Sequence, residues 1–253
     1  MILGPDGERL SKRHGAVKVT EFLDEGYLPH ALLNFIALLG WSPGDDREIL
    51  TIEEMVESFT LDRVRSTASR FDYDKFAWMN GHYIRTTSPA DLYSPAVRCL
   101  RVRGLADAVP SREWLLECLE LYQERVKTLG EFAEAIRFFL IPDEELRFKR
   151  QAVKKTLLKQ GAAERLEAAL ERLEAAEPFR ADALEEALRG LCAELEVGLG
   201  KVAQPVRVSV TGTNVSAELF KTLELLGKER TLNRIRRALS FIESGDFPYS
   251  EEE

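Results

Sequence analysis

Apolar positions recur at helical spacing through most of this chain, and strict alternation of apolar and polar residues is almost absent. From Pro29 to Leu39 the side chains are apolar on almost every side, which predicts a helix buried between neighbours. Gly40 and the turn Trp41-Ser42-Pro43-Gly44-Asp45-Asp46 stop it. Thr51-Ile52-Glu53-Glu54 has the form of a capping box opening a second helix, because a threonine oxygen takes a free N–H and the glutamate answers it. Residues 71–84 carry aromatics at helical spacing, with Phe76 and Trp78 expected in the core and Asn80-Gly81 expected as a polar turn. Thr86-Thr87-Ser88-Pro89 reads as a boundary. Beyond it the periodicity predicts helices at 90–103, 111–121, 123–140, 143–159, 162–176 and 180–196, then 216–226, the break Gly227-Lys228-Glu229-Arg230, and a last helix to Ser244. Val17-Lys18-Val19-Thr20 predicts a brief strand, followed by a short helix from Glu21 that Gly26 ends. Val206 to Val210 also alternates, but a lone strand would have no partner there, so a helix or an irregular buried segment is expected. The fold class is therefore mainly all-α.

Length and charge narrow the picture. At 253 residues the chain can bury a large core without a metal or a disulfide staple. Cys99, Cys118 and Cys192 lie far apart with no CxxC spacing, which predicts reduced, buried thiols and no protein-bound metal. No apolar run approaches the ~20 residues that cross a bilayer, and the N-terminus lacks a secretory pattern, so a cytoplasmic protein with no membrane partner is expected. The net charge of −8 argues against coating nucleic acid through bulk charge. Any RNA surface has to be local. Arg147, Lys149, Arg150, Lys154, Lys155 and Lys159 form one basic stretch and Arg230, Arg234, Arg236 and Arg237 another, with an acidic helical region from Glu164 to Glu196 between them. Each basic stretch reads either as a solvated helix face or as part of an RNA surface.

The sharpest chemical signal lies near the N-terminus. In Gly4-Pro5-Asp6-Gly7-Glu8-Arg9-Leu10-Ser11-Lys12-Arg13-His14-Gly15 a turn is followed by basic side chains crowded around one serine. Freed backbone N–H groups, ammonium and guanidinium surround phosphate oxygens well, and glycine lets the backbone approach closely.

Arg9-Leu10-Ser11-Lys12-Arg13 resembles the KMSKS signature of class I aminoacyl-tRNA synthetases, in the form that glutamyl-tRNA synthetases carry. Further stretches are similar to the bacterial enzymes in the same order: Gly26-Tyr27-Leu28-Pro29, Leu38-Leu39-Gly40-Trp41-Ser42-Pro43, Trp78-Met79-Asn80-Gly81-His82-Tyr83, Gln123-Glu124-Arg125-Val126-Lys127-Thr128-Leu129, Val202-Ala203-Gln204-Pro205-Val206-Arg207 and Leu225-Leu226-Gly227-Lys228-Glu229-Arg230. The resemblance covers nearly the whole chain. It implies a signature loop and stem-contact module over 1–86, and anticodon-binding helical subdomains over 87–145 and 146–253. The glutamine-specific relatives fit less well, because their anticodon-binding part is built from β-barrels.

The resemblance also implies roles. In the complete enzyme the loop closes over ATP, with Mg2+, while glutamate attacks the α-phosphate to give glutamyl-adenylate. A cation placed where negative charge develops lowers that barrier. Lys12 stands at the catalytic lysine position. Arg9, Leu10, Ser11, Lys12 and Arg13 form the ATP-binding loop, with Arg9 where the family usually has lysine. Arg125 and Arg207 match the arginines that read anticodon bases, and arginine at the Arg125 position looks like the form selective for tRNA-Glu. The half with the HIGH signature has no counterpart here: His14, His30 and His82 are scattered, and no strand–helix series builds a parallel sheet. The expected chain is thus the C-terminal tRNA-binding part of a glutamate-tRNA ligase, a monomer that binds tRNA-Glu and needs a separate catalytic domain to activate glutamate. The alternative is a stand-alone tRNA-binding or regulatory protein derived from that enzyme.

Overall fold

The computed structural model describes residues 1–11, 13, 18–65 and 67–250. The chain divides into two compact units, Met1–Ile136 and Arg137–Glu253. As the periodicity predicts, both are built from helices, and the strands described are β1 (Ile2–Leu3) and β2 (Ser69–Arg70), paired in parallel.

The first unit contains α1 (Val19–Asp24), α2 (Pro29–Gly40), α3 (Ile52–Ser58), α4 (Tyr73–Thr86), α5 (Pro89–Val102), α6 (Arg112–Tyr122) and α7 (Leu129–Ala135). Val19 and Thr20 open α1 rather than extending a strand, and Val17 lies outside the described residues. The capping box forms as expected: the Glu54 N–H donates to Thr51 Oγ1 at 3.1 Å and the Thr51 N–H donates to Glu54 Oε2 at 2.8 Å. Aromatic rings make the centre. Phe76 stacks on Tyr27 at 4.1 Å and on Phe35 at 4.7 Å, and Phe22 stacks on Phe71 at 5.6 Å. Each such buried ring contributes about 1.5–3 kcal/mol.

Further expectations fail in this unit. Trp78 is 45% exposed, and so are Leu33 (48%) and Ile36 (45%) of α2, which therefore has an open apolar face instead of burial all round. Asn80-Gly81 is no turn but the middle of α4. Asn80 is fully buried and takes part in tertiary hydrogen bonds, so the amide that makes asparagine a turn former is engaged elsewhere.

The predicted helix at 123–140 is also interrupted. It resolves into a turn at 123–128, then α7, then the short α8 (Arg137–Leu140) that begins the second unit. The cause is a new N-cap: Thr128 Oγ1 accepts from the Glu131 N–H at 3.1 Å, while Glu131 Oε2 accepts from the Lys127 N–H at 2.7 Å. A Thr-x-x-Glu signature at 128–131 marks this start in the sequence.

The second unit continues with α9 (Arg150–Lys155), α10 (Ala162–Ala175), α11 (Ala181–Glu194), α12 (Gly200–Thr211), α13 (Leu219–Leu226) and α14 (Lys228–Ser244). α10 packs against α11, α12 and α14. Leu166, Ala169, Leu173, Val202, Val206 and Ile235 are buried there. Val206–Val210 is helical, as favoured, and Pro205 lies within the same helix. The break before α14 is confined to Gly227, since α14 already begins at Lys228. The predicted helix at 143–159 is replaced by a short 3-10 turn at 143–145, an extended stretch and α9. That stretch is held from both sides: the Phe148 N–H donates to Pro248 O at 2.9 Å and the Lys149 N–H to Gly212 O at 2.8 Å. Gly212 has φ +74, and a Cβ there would lie 2.0 Å from Arg147 O, so only glycine permits the approach.

Candidate nucleic-acid interface

The N-terminal loop is a tight hairpin. The Gly7 N–H donates to Gly4 O at 3.0 Å, the Gly4 N–H to Glu8 O at 2.7 Å and the Leu10 N–H to Ile2 O at 3.0 Å. Pro5-Asp6 followed by Gly7 at φ +82 is the composition such a turn requires. Beyond it Arg9 is exposed, while Leu10 and Ser11 are half-buried. Arg13 is exposed and pairs with Asp6, at 3.2 Å, and with Glu8. The loop's own carboxylates thus pair with one of the cations of the basic stretch, across solvent-exposed contacts that are weak. Lys12 lies outside the described residues.

Arg125 is exposed on the turn between α6 and α7, its N–H donating to Tyr122 O at 2.8 Å. Arg207 differs. It is half-buried on α12, and its guanidinium donates to Ser216 Oγ and to Ala217 O (2.6 Å), bracing the 213–217 loop. The structure places Arg125 in the first unit and Arg207 in the second.

The basic stretches behave in opposite ways. Three of the four arginines of α14 point inward around Asp143. Arg234 is buried and donates to Asp143 Oδ1 (2.7 Å), Val210 O (2.5 Å) and Phe138 O (2.7 Å). Arg230 donates to Asp143 Oδ1 at 2.9 Å and to Ile141 O at 2.6 Å, Arg237 donates to Asp143 O, and Asn233 donates to Asp143 Oδ2 at 2.8 Å. Burial alone would raise the Asp143 carboxyl, but the hydrogen bonds from Asn233 and Arg234 and the charges around it hold it below the ordinary carboxylate range. This cluster is structural, neither a solvated face nor an RNA surface. Only Arg236 of the four is exposed, paired with Glu174 at 2.8 Å.

The other stretch does reach a groove. Lys155 and Lys159 line a cavity of about 800 Å³ together with Arg165, Lys201, Gln204 and Asn214, with Gly198 and Gly200 at the start of α12. No carboxylate is among its described lining residues. Arg165 donates to Lys201 O at 3.1 Å and to Gln160 O at 3.0 Å, which ties the two walls together. Asn214 belongs to the loop that Arg207 braces. Sequence reasoning found Lys155 and Lys159 but missed Arg165, Lys201 and Asn214, which come from separate segments with no local charge run to mark them. Four cations thus converge on one groove in a chain of net charge −8, a locally cationic surface. Among the described residues no group of three or more His, Cys, Asp or Glu is placed to hold a metal, and no helix is long and apolar enough to cross a membrane.

Residues 90–239 match the family model of the anticodon binding domain, which spans more than half of the chain and includes α12, the groove and the Arg125 turn. The chain belongs to this anticodon-binding family. Residues 1–78 match the model of the catalytic domain of class I tRNA synthetases for E and Q. Among curated relatives, the glutamate-tRNA ligase of Moorella thermoacetica is 38% identical over 245 residues, covering 96% of this chain and 50% of the relative. That of Syntrophobacter fumaroxidans is 42% identical over 243 residues, covering 96% and 51%. A crystal structure of a glutamate tRNA ligase from Elizabethkingia meningosepticum in complex with its amino acid superimposes with a TM-score of 0.81 at 28% identity, over 96% of this chain and 50% of that one. The chain thus spans about half the length of the relatives it matches, and the part matched is their C-terminal half. The resemblance to glutamyl-tRNA synthetase drawn from the motifs and the mainly helical fold both hold.

Proposed function

We propose that this chain is the tRNA-binding portion of a cytoplasmic, monomeric glutamate-tRNA ligase that makes glutamyl-tRNA from ATP, glutamate and tRNA-Glu. The observation that carries the reading is the carboxylate-free groove of Lys155, Lys159, Arg165 and Lys201 within the segment that matches an anticodon-binding model. Residues 1–86 serve as signature loop and stem-contact module, and the helices from 87 onward, in subdomains 87–145 and 146–253, serve the anticodon. The groove tracks RNA phosphates. Arg125, exposed at a turn, presents its guanidinium fork to a base edge. Arg207 is the second arginine of the anticodon reading, and it also holds the loop that carries Asn214. In the N-terminal loop Lys12 neutralises charge that develops on ATP phosphate, while Arg9, Leu10, Ser11 and Arg13 complete the contact, with Mg2+ accompanying ATP. That step requires a catalytic domain facing the loop, so the chain alone binds tRNA and does not activate glutamate.

Filter binding across a salt series tests this. The Lys155→Ala/Lys201→Ala variant is expected to weaken binding of every tRNA alike and to reduce the salt slope by about 1.4. Arg125→Ala is expected to erase the preference for tRNA-Glu over a tRNA with a scrambled anticodon. Unchanged salt dependence, or equal affinity of the wild-type chain for both tRNAs, overturns the assignment.

A further inference from the structure

The Arg125 turn is held by a joint that neither family match includes as a whole. Asn80 lies between the two matched segments, 1–78 and 90–239. Its side chain is buried and reaches two distant parts of the chain at once: Oδ1 accepts from the Leu28 N–H at 2.8 Å, and Nδ2 donates to Lys127 O at 2.6 Å, with Gly26 O at 3.4 Å. Around it the backbones interlock. The Leu129 N–H donates to Gly26 O at 3.0 Å and the Gly130 N–H to Glu25 O at 3.1 Å, so the first free N–H groups of α7 are satisfied by the α1–α2 connection. A Cβ on Gly26 would lie 2.3 Å from Gly130 N, and one on Gly130 would lie 2.5 Å from Glu25 O. Gly81 adds the same economy of space, since its Cβ would sit 3.4 Å from the Lys127 Cα. Lys127, Thr128, Leu129 and Gly130 therefore each have a fixed partner, and Arg125 projects from the short turn they terminate.

We infer that Asn80 is a positioning residue for anticodon discrimination: it fixes the turn from which Arg125 reads a base, and Gly26 and Gly130 make its reach possible. The inference rests on the proposed role of Arg125. A guanidinium on an exposed turn discriminates bases only if its backbone is held in register, because a fork of donors displaced from the base edge still attracts any phosphate. An amide suits the task, since one group both accepts and donates. Aspartate at 80 keeps the acceptor for Leu28 but loses the donor to Lys127 O and sets two oxygens against each other.

The experiment compares wild type, Arg125→Ala, Asn80→Asp, Asn80→Ala and Met55→Ala, a core truncation in α3 of the same unit, for binding to tRNA-Glu and to a tRNA-Glu with a scrambled anticodon. All are measured well below their melting temperatures, with amide exchange of 125–130 as a second readout. Asn80→Asp and Asn80→Ala are expected to lower the discrimination ratio by about tenfold, in the range one base contact supplies. They should leave binding of the scrambled tRNA within about twofold and speed exchange at Lys127 and Gly130. Met55→Ala should leave the ratio unchanged. A wild-type ratio in both Asn80 variants with exchange at 125–130 accelerated overturns the inference while Arg125 keeps its role, as does an equal loss in Met55→Ala. A wild-type ratio in Arg125→Ala overturns the role of Arg125 and, with it, that of Asn80.

Discussion

Each unit contains a buried polar residue that ties distant segments together, and these two ties are of different kinds. In the first unit the neutral amide of Asn80 bonds backbone groups of Leu28 and Lys127. In the second the carboxylate of Asp143 collects Arg230, Asn233 and Arg234 while backbone carbonyls accept further guanidinium N–H groups. A neutral amide costs little to bury once each of its groups is bonded, and it does not titrate. A buried charge cluster is fixed in geometry as well, but each member depends on the others for compensation, because removing one leaves an uncompensated charge away from water. The first unit therefore keeps its tie at any pH near neutrality, and the second has a tie that is intolerant of partial removal.

The largest effect expected from breaking this contrast is Asp143→Ala, which leaves Arg230 and Arg234 without their carboxylate. A loss of about 3–5 kcal/mol in the second unit is expected by urea unfolding. Replacing both partners, Asp143→Leu with Arg234→Met, should cost clearly less, and a double variant as unstable as the single one would refute the compensation argument. Next comes acid. A carboxyl depressed in the folded state contributes stability that is complete above its unfolded value and is lost as pH falls through the folded one. The second unit should thus weaken below about pH 4, and Asp143→Asn should flatten that dependence in urea midpoints taken at neutral and acid pH. Asn80→Ala is expected to cost the first unit about 1–3 kcal/mol, from the orphaned Leu28 N–H and Lys127 O, with no new pH dependence. The smallest effect belongs to Arg236→Ala. It removes an exposed pair with Glu174 from the same helix that carries Arg234, and less than about 1 kcal/mol should be lost. A large loss there would mean that burial is not what separates the arginines of α14.

Much of the first unit was legible because its signals are local. The capping box at Thr51, the stop at Gly40 and the long apolar periodicities each involve residues within a few positions of one another. The errors share a cause. Asn80-Gly81 has the composition of a turn, yet α4 continues because both residues serve a contact with Lys127, 47 positions away from Asn80. The four arginines of α14 look alike on paper, and only the approach of Asp143 divides them into three that point inward and one that faces solvent. For the candidate site, Arg9 to Arg13, Arg125 and Arg207 stood out by motif. Lys201, Arg165 and Asn214 did not, since a groove assembled from three segments leaves no mark in any one of them.

The sequence by itself determined the helical class, most helix positions, the buried state of the three cysteines and the family, because periodicity, caps and ordered motifs are properties of neighbours along the chain. Tertiary structure decided which charges act on solvent and which on the core, that Arg207 braces a loop, and that Asn80 bonds Lys127 O beside the Arg125 turn. Those outcomes depend on desolvation and on hydrogen-bond partners that only folding brings within 3 Å.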